Sequence, residues 1–203
     1  KLMLSIIVPV RNESENLKDV FDYYTKNVKD FKYEVLIVND FSKDDTLNVA
    51  RELEQKYKNF KILDNKKKGL GGAINLGIEK AEGDYIAIMM ADQSDDINDL
   101  KKYFQIISSE NLDAVLGSRF LNNSKVENYP IGKLILNRIF NLIVSFIFWN
   151  KYNDYTNAFK IYKKKALVEI LPLISESFNI FLEIPLKIIS RNYKYEVIPI
   201  SWD

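Results

Sequence analysis

The sequence predicts an α/β fold, a mostly parallel sheet with helices on both faces, followed by an amphipathic helical part. Three observations carry this. Short, almost continuously apolar runs alternate with stretches of helical periodicity through the first hundred residues. Apolar residues occupy successive positions in those runs, so both strand faces must be covered. Polar, Gly- or Asp-rich residues follow nearly every run, at the edge where open α/β sheets bind ligands.

Leu4 to Pro9 is the first strand, and the polar residues Arg11–Glu15 follow it. Ser14 is expected to cap a helix carrying Leu17, Val20, Phe21 and Tyr24. Tyr33 to Val38 is the second strand, ending in the turn Asn39–Asp45. A helix over about 46–57 and a short strand at Phe60–Leu63 come next. The Gly69–Gly72 turn opens a helix to about Ala81, and Tyr85 to Met90 is a further strand. Ile97–Ser108 reads as helix and Ala114–Gly117 as strand. Beyond residue 120 come a polar loop at Asn122–Asn128, a long amphipathic helix, Asp154–Lys165 and a closing helix–strand pair. The chain is expected to be one domain over 1–203, in two halves (1–120 and 121–203).

The 203 residues contain no cysteine and no histidine. Thiol nucleophiles, imidazole bases and thiolate or imidazole zinc sites are therefore excluded. A net charge of +1 divides into −4 over residues 1–100 and +5 over 101–203, which points to two different ligands and no nucleic acid. No leader is visible, and the apolar stretch Leu134–Trp149 is shorter than the ~20 residues a bilayer requires.

Gly69-Leu-Gly-Gly-Ala-Ile74 fails the dinucleotide fingerprint, because its sixth position is Ile74 and it follows the third strand. It is either an anion-facing turn at a helix N-terminus or an ordinary tight turn. Asp92, Asp95 and Asp96 lie within five residues at a strand end. Such carboxylates repel unless a cation sits between them, so they hold a hard divalent ion on a diphosphate, or Asp95 or Asp96 caps the next helix. Asp40 closes the second strand, where a carboxylate accepts from the imide N–H of uracil or guanine, or shapes a turn. Glu13 serves the same pocket or the first turn of the first helix.

Five segments occur in order: Ser5-Ile-Ile-Val-Pro-Val-Arg-Asn-Glu13, Val38-Asn-Asp-Phe-Ser-Lys-Asp-Asp-Thr46, Gly69-Leu-Gly-Gly-Ala-Ile-Asn-Leu-Gly77, Gly83-Asp-Tyr-Ile-Ala-Ile-Met-Met-Ala-Asp92 and Gly117-Ser-Arg119. Together they resemble the family 2 glycosyltransferases of the Rossmann-like GT-A fold, nearest the polyprenol-phosphate (dolichol-phosphate mannose synthase-like) branch. Asp154 to Tyr162 and Glu196 to Ile200 extend the resemblance. It implies that Pro9, Asn12, Glu13, Asp40, Lys68, Gly71 and Asp92 bind the nucleotide. It further implies that Asp92, Ser94 and Asp95 hold Mg²⁺ or Mn²⁺, that Asp92, Asp95 and Arg119 are catalytic, and that Arg119, Arg138 and Lys160 meet the acceptor. Two positions depart from the family pattern: Met90 replaces the first aspartate of Asp-x-Asp, and Asn39 the first of Asp-Asp-x-Ser.

Lys133, Asn137, Asn141 and Ser145 form a polar stripe at i, i+4 spacing on the long apolar helix. A helix this apolar is buried or lies in a membrane interface, where Trp149 and Tyr152 suit the headgroup boundary. The resemblance implies an inverting, metal-dependent transfer of a sugar from a UDP- or GDP-sugar to a polyprenyl phosphate, in cell-envelope glycan synthesis. The expected place is cytoplasmic, peripheral at the inner face of the membrane. The resemblance makes 1–120 the nucleotide-sugar-binding half and 121–203 the acceptor or membrane-proximal half; relatives of this branch continue into a basic segment, so the acceptor half is expected to be incomplete at Asp203. Alternatives are transfer to a glycan or lipid-oligosaccharide hydroxyl, with Asp95 or Asp96 as base, and a non-catalytic nucleotide-sugar-binding paralogue.

Overall fold

A computed structural model describes residues 2–91, 95–126 and 130–202. Seven strands form one sheet: β1 (Met3–Val10), β2 (Lys32–Asn39), β3 (Phe60–Asp64), β4 (Tyr85–Ile88), β5 (Ala114–Ser118), β7 (Lys160–Lys163) and β8 (Tyr195–Pro199). Their order is β3-β2-β1-β4-β7-β5-β8. The short β6 (Lys125–Val126) and β9 (Ser201–Trp202) pair separately. Neighbouring strands run parallel except at β7, which is antiparallel to both β4 and β5. That strand comes from the 154–165 segment, to which periodicity assigned no element. It ties the C-terminal half into the middle of the sheet.

Alternate strand residues feed two apolar layers, as the continuous runs require. Leu4, Ile6, Val8, Val35 and Ile37 pack against α1 (Leu17–Asn27), α2 (Thr46–Lys56) and α4 (Ile97–Ser109). Ile7, Leu36 and Val38 pack on the other side, against α3 (Leu70–Lys80), α6 (Lys164–Glu169) and α7 (Ile180–Ser190). Phe21 stacks on Phe60 with centroids 4.2 Å apart, closing the outer end of the first layer.

Local details correct one expectation and decide another. Ser14 does not cap α1: the N-cap position is Asn16, and the Ser14 N–H instead donates to Asp44 Oδ2 at 3.2 Å. Of the two candidate caps for α4, Asp96 does it, accepting from the Asn98 N–H at 2.8 Å. Pro185 lies well inside α7. It has no N–H to give the Phe181 carbonyl four residues back, and the buried Lys160 ammonium donates to that oxygen instead, at 3.4 Å.

Candidate active site

The carboxyl ends of β1, β2 and β4 meet at a cavity of about 390 Å³. Pro9, Glu13 and Asp40 line it with Gly69 and Leu70 of the glycine turn, and Met90 and Ala91 line it from the β4 end. Asp40 is 6% exposed. Its Oδ1 accepts from the Gly69 N–H and from Asn65 Nδ2, both at 2.8 Å, and its own N–H donates to the Val10 carbonyl. The residue thus locks the glycine turn to the strand ends while lining the cavity. Gly69 must be glycine, since its φ is +113° and a Cβ there would meet the Glu176 carbonyl oxygen at 2.7 Å.

The β1 and β2 turns brace each other. Asn12 sits at φ +58°, donates its N–H to Ser42 Oγ and accepts from the Lys43 N–H. It does not line the cavity but holds the turn that does. The Glu13 N–H donates to Thr46 Oγ1 at 2.8 Å. Asn39 explains one departure from the family pattern: its amide donates to Asp64 Oδ1 while its oxygen accepts from the Ser42 N–H. An aspartate there could not donate to a second carboxylate. Phe41, beside Asp40, holds a φ of +54°, strained for an aromatic residue.

One wall comes from residues that sequence reasoning missed. Glu176, Ser177 and Phe178 line the cavity together with the strand ends. Their backbone packs on Gly71, whose N–H donates to the Glu176 carbonyl at 3.1 Å. Glu183, in the first turn of α7, accepts from the N–H groups of Ile174 and Ser175 and pairs with Lys187 at 2.7 Å. Burial pushes its carboxyl up, but the Lys187 and backbone hydrogen bonds prevail and hold it at about 2. This clamp contributes fully above the ordinary glutamate range and is lost only as pH falls toward 2. Spaced glycines at 69 and 71 were the available signal, because they announce a close backbone neighbour. Lys68 is exposed and does not line the cavity; Gly71 lies buried under the wall.

Asp92 and Ser94 lie outside the described residues. Asp95 is 4% exposed, and among the described residues no three carboxylates converge as a metal cluster. Arg119 is 7% exposed at its side chain and grips Asp154 with two parallel bonds, Nε to Oδ2 at 2.9 Å and Nη2 to Oδ1 at 2.7 Å. Nη2 also donates to Thr156 Oγ1. Lys160, expected among the acceptor residues, is 1% exposed and donates to the carbonyls of Tyr155, Asn157 and Phe181. Burial pulls its pKa down to about 7, against the attraction of Asp154. It holds the fold instead of facing an acceptor surface. Arg138 is exposed on α5 (Ile131–Ile147), with its guanidinium 5.7 Å from the Phe120 ring.

Helix α5 is turned inside out. The C-terminal part of its polar stripe faces the protein, whereas Lys133 is exposed: Asn141 is fully buried and accepts from the Tyr155 N–H at 2.6 Å, and Ser145 donates to the Tyr152 carbonyl. Ile135, Leu136, Leu142, Ile143, Phe146 and Ile147 face outward, each more than half exposed, with Trp149 just beyond. Among the described residues no helix is long and apolar enough to cross a membrane.

Comparisons with known proteins agree with this architecture. The dolichol-phosphate mannosyltransferase of Pyrococcus furiosus is 31% identical over 188 residues, 92% of this chain and 53% of that protein. A UDP-N-acetylglucosamine–dolichyl-phosphate N-acetylglucosaminyltransferase of Methanococcus voltae is 29% identical over 182 residues, 81% of this chain and 71% of that one. The chain thus spans about half the length of the first of these relatives. Among solved structures, glucosyl-3-phosphoglycerate synthase from Mycobacterium tuberculosis with UDP superposes at a TM-score of 0.76 and 13% identity, covering 100% of this chain and 71% of that one. S. aureus TarS 1–349 superposes at 0.68 and 22% identity, covering 97% and 58%. These structural likenesses establish the GT-A fold. The model of glycosyl transferase family 2 matches residues 5–171, and the chain belongs to that family.

Proposed function

We propose that the chain transfers a sugar, with inversion, from a UDP- or GDP-linked donor to a polyprenyl phosphate at a membrane surface. One observation carries this: Asp40 lines the same cavity as Met90 and Ala91, the residues that lead directly into Asp92. On this reading the base end and the diphosphate end of an activated sugar nucleotide lie in one cleft at the carboxyl edge. The relatives whose printed names specify dolichol-phosphate acceptors support the acceptor class.

In this reaction Asp40 accepts the imide N–H of the base, and the acceptor phosphate oxygen attacks the anomeric carbon as the bond to the nucleoside diphosphate breaks. A phosphate monoester has a second pKa near ~6 and is largely ionised at neutral pH. It needs no general base, which suits a chain without histidine. Arg119, held in place by Asp154, and the exposed Arg138 supply positive charge on the acceptor side. The expected donor set, Asp92, Ser94 and Asp95, is all oxygen and so suits Mg²⁺ or Mn²⁺; bound there, the ion would neutralise charge on the departing diphosphate.

The outward face of α5 is the proposed membrane contact, because so large an exposed apolar patch marks an interaction surface. The combined substitutions Phe146→Ser and Trp149→Ser are expected to lower binding to anionic liposomes at least tenfold in flotation, with the unfolding midpoint unchanged. Equal binding would remove α5 from the contact. The transfer itself is tested by product mass, offering UDP- and GDP-sugars to polyprenyl phosphate and to polyprenol. A glycosylated phosphate with Mg²⁺ or Mn²⁺ is expected. Turnover on the alcohol alone would move the function to a hydroxyl acceptor and make Asp95 the candidate base.

A further inference from the structure

We propose that Phe178 is the stacking platform for the donor's nucleobase; this rests on the nucleotide-binding function proposed above. Phe178 lines the same cavity as Asp40 and Pro9, yet the residue is 69% exposed. The fold makes little use of the ring: among the described residues its close aromatic neighbour is Phe181, tilted at 51° with centroids 6.1 Å apart. The backbone carrying it is fixed from both sides. Glu183 clamps the N–H groups of Ile174 and Ser175, and Gly71 donates to the Glu176 carbonyl. On the other side the Phe178 carbonyl accepts from the Phe181 N–H at 3.1 Å as α7 begins. A large apolar ring held on a rigid backbone at a cavity rim is suited to covering a flat, partly apolar ligand.

Asp40 and Phe178 divide the work of recognition. A carboxylate accepts from an imide N–H on the edge of a base, which uracil and guanine have and cytosine and adenine lack. An aromatic face has no such preference, because every base offers a π surface. Removing the ring should therefore weaken UDP and GDP by similar factors and leave the preference between bases unchanged.

The test is calorimetric titration of UDP and GDP into the wild type and into the variants Phe178→Ala, Phe178→Leu and Phe178→Trp. Stacking on a base predicts a loss of about ten- to a hundredfold for alanine. Leucine, apolar but without a π face, should lose at least about fivefold. Tryptophan should stay within about threefold of the wild type. Unfolding midpoints should agree across the set, since the ring is largely exposed. If alanine binds within about twofold of the wild type, or leucine and tryptophan behave alike, Phe178 does not stack. If the wild type itself binds neither UDP nor GDP, with or without Mn²⁺, the nucleotide-binding function fails and this assignment fails with it.

Discussion

Asp154→Ala is expected to destabilise the protein by about 3–5 kcal/mol, read as a lower urea midpoint, because it strands a buried guanidinium. Asp154 is fully buried and Arg119 is 7% exposed at its side chain. The carboxylate takes both parallel bonds of the fork and also the Arg119 backbone N–H at 2.8 Å. Burying two charges is tolerable only as a pair, so deleting one partner exposes the desolvation cost of the other. The double variant Asp154→Ala with Arg119→Met should recover part of the loss, since no charge is then left behind. A single-variant loss below about 1 kcal/mol would mean that solvent reaches the pair more freely than its burial implies. Turnover should vanish in the stable double variant as well, if Arg119 serves the transferring phosphate.

Much of the frame was legible from periodicity. Continuous apolar runs became β1, β2, β4 and β5, and the polar residues after them gather at the carboxyl edge. What escaped notice came from long-range neighbours. The strand β7 looks unremarkable locally, because its Lys160 breaks the apolar run. Only the tertiary structure supplies the Pro185-released carbonyl and two others that make a buried ammonium acceptable there. Asp40 was identifiable from its position, whereas the wall at 176–178 lies more than a hundred residues away and carries no motif. The polar stripe on α5 was visible as a stripe, but its direction was not. A helix with so few polar residues satisfies them inward, through Asn141 and Ser145, and leaves its apolar side to face outward.

Gly71→Ala should damage both stability and nucleotide binding, and a matched control isolates the reason. Gly71 and Gly132 each occupy the second position of a helix, α3 and α5. On propensity alone alanine should favour either helix by up to about 1 kcal/mol. At Gly132 a Cβ meets nothing within 4 Å, so that small gain, or no change, is expected. At Gly71 the same atom would lie 1.8 Å from the Ser175 carbonyl oxygen and 3.0 Å from the Glu176 Cα. Those are backbone atoms clamped by Glu183, and they cannot rotate aside as a side chain would. The wall must shift bodily, at a net cost of about 1–3 kcal/mol typical of overpacking. The Gly71 N–H to Glu176 bond is lost with that shift, and Phe178 moves with its backbone. Nucleotide affinity should therefore fall at least tenfold in Gly71→Ala and stay unchanged in Gly132→Ala, measured by the same UDP and GDP titrations. Equal stability and affinity in the two variants would mean that the 174–178 wall yields freely, and that the glycine at 71 is dictated by something other than its approach.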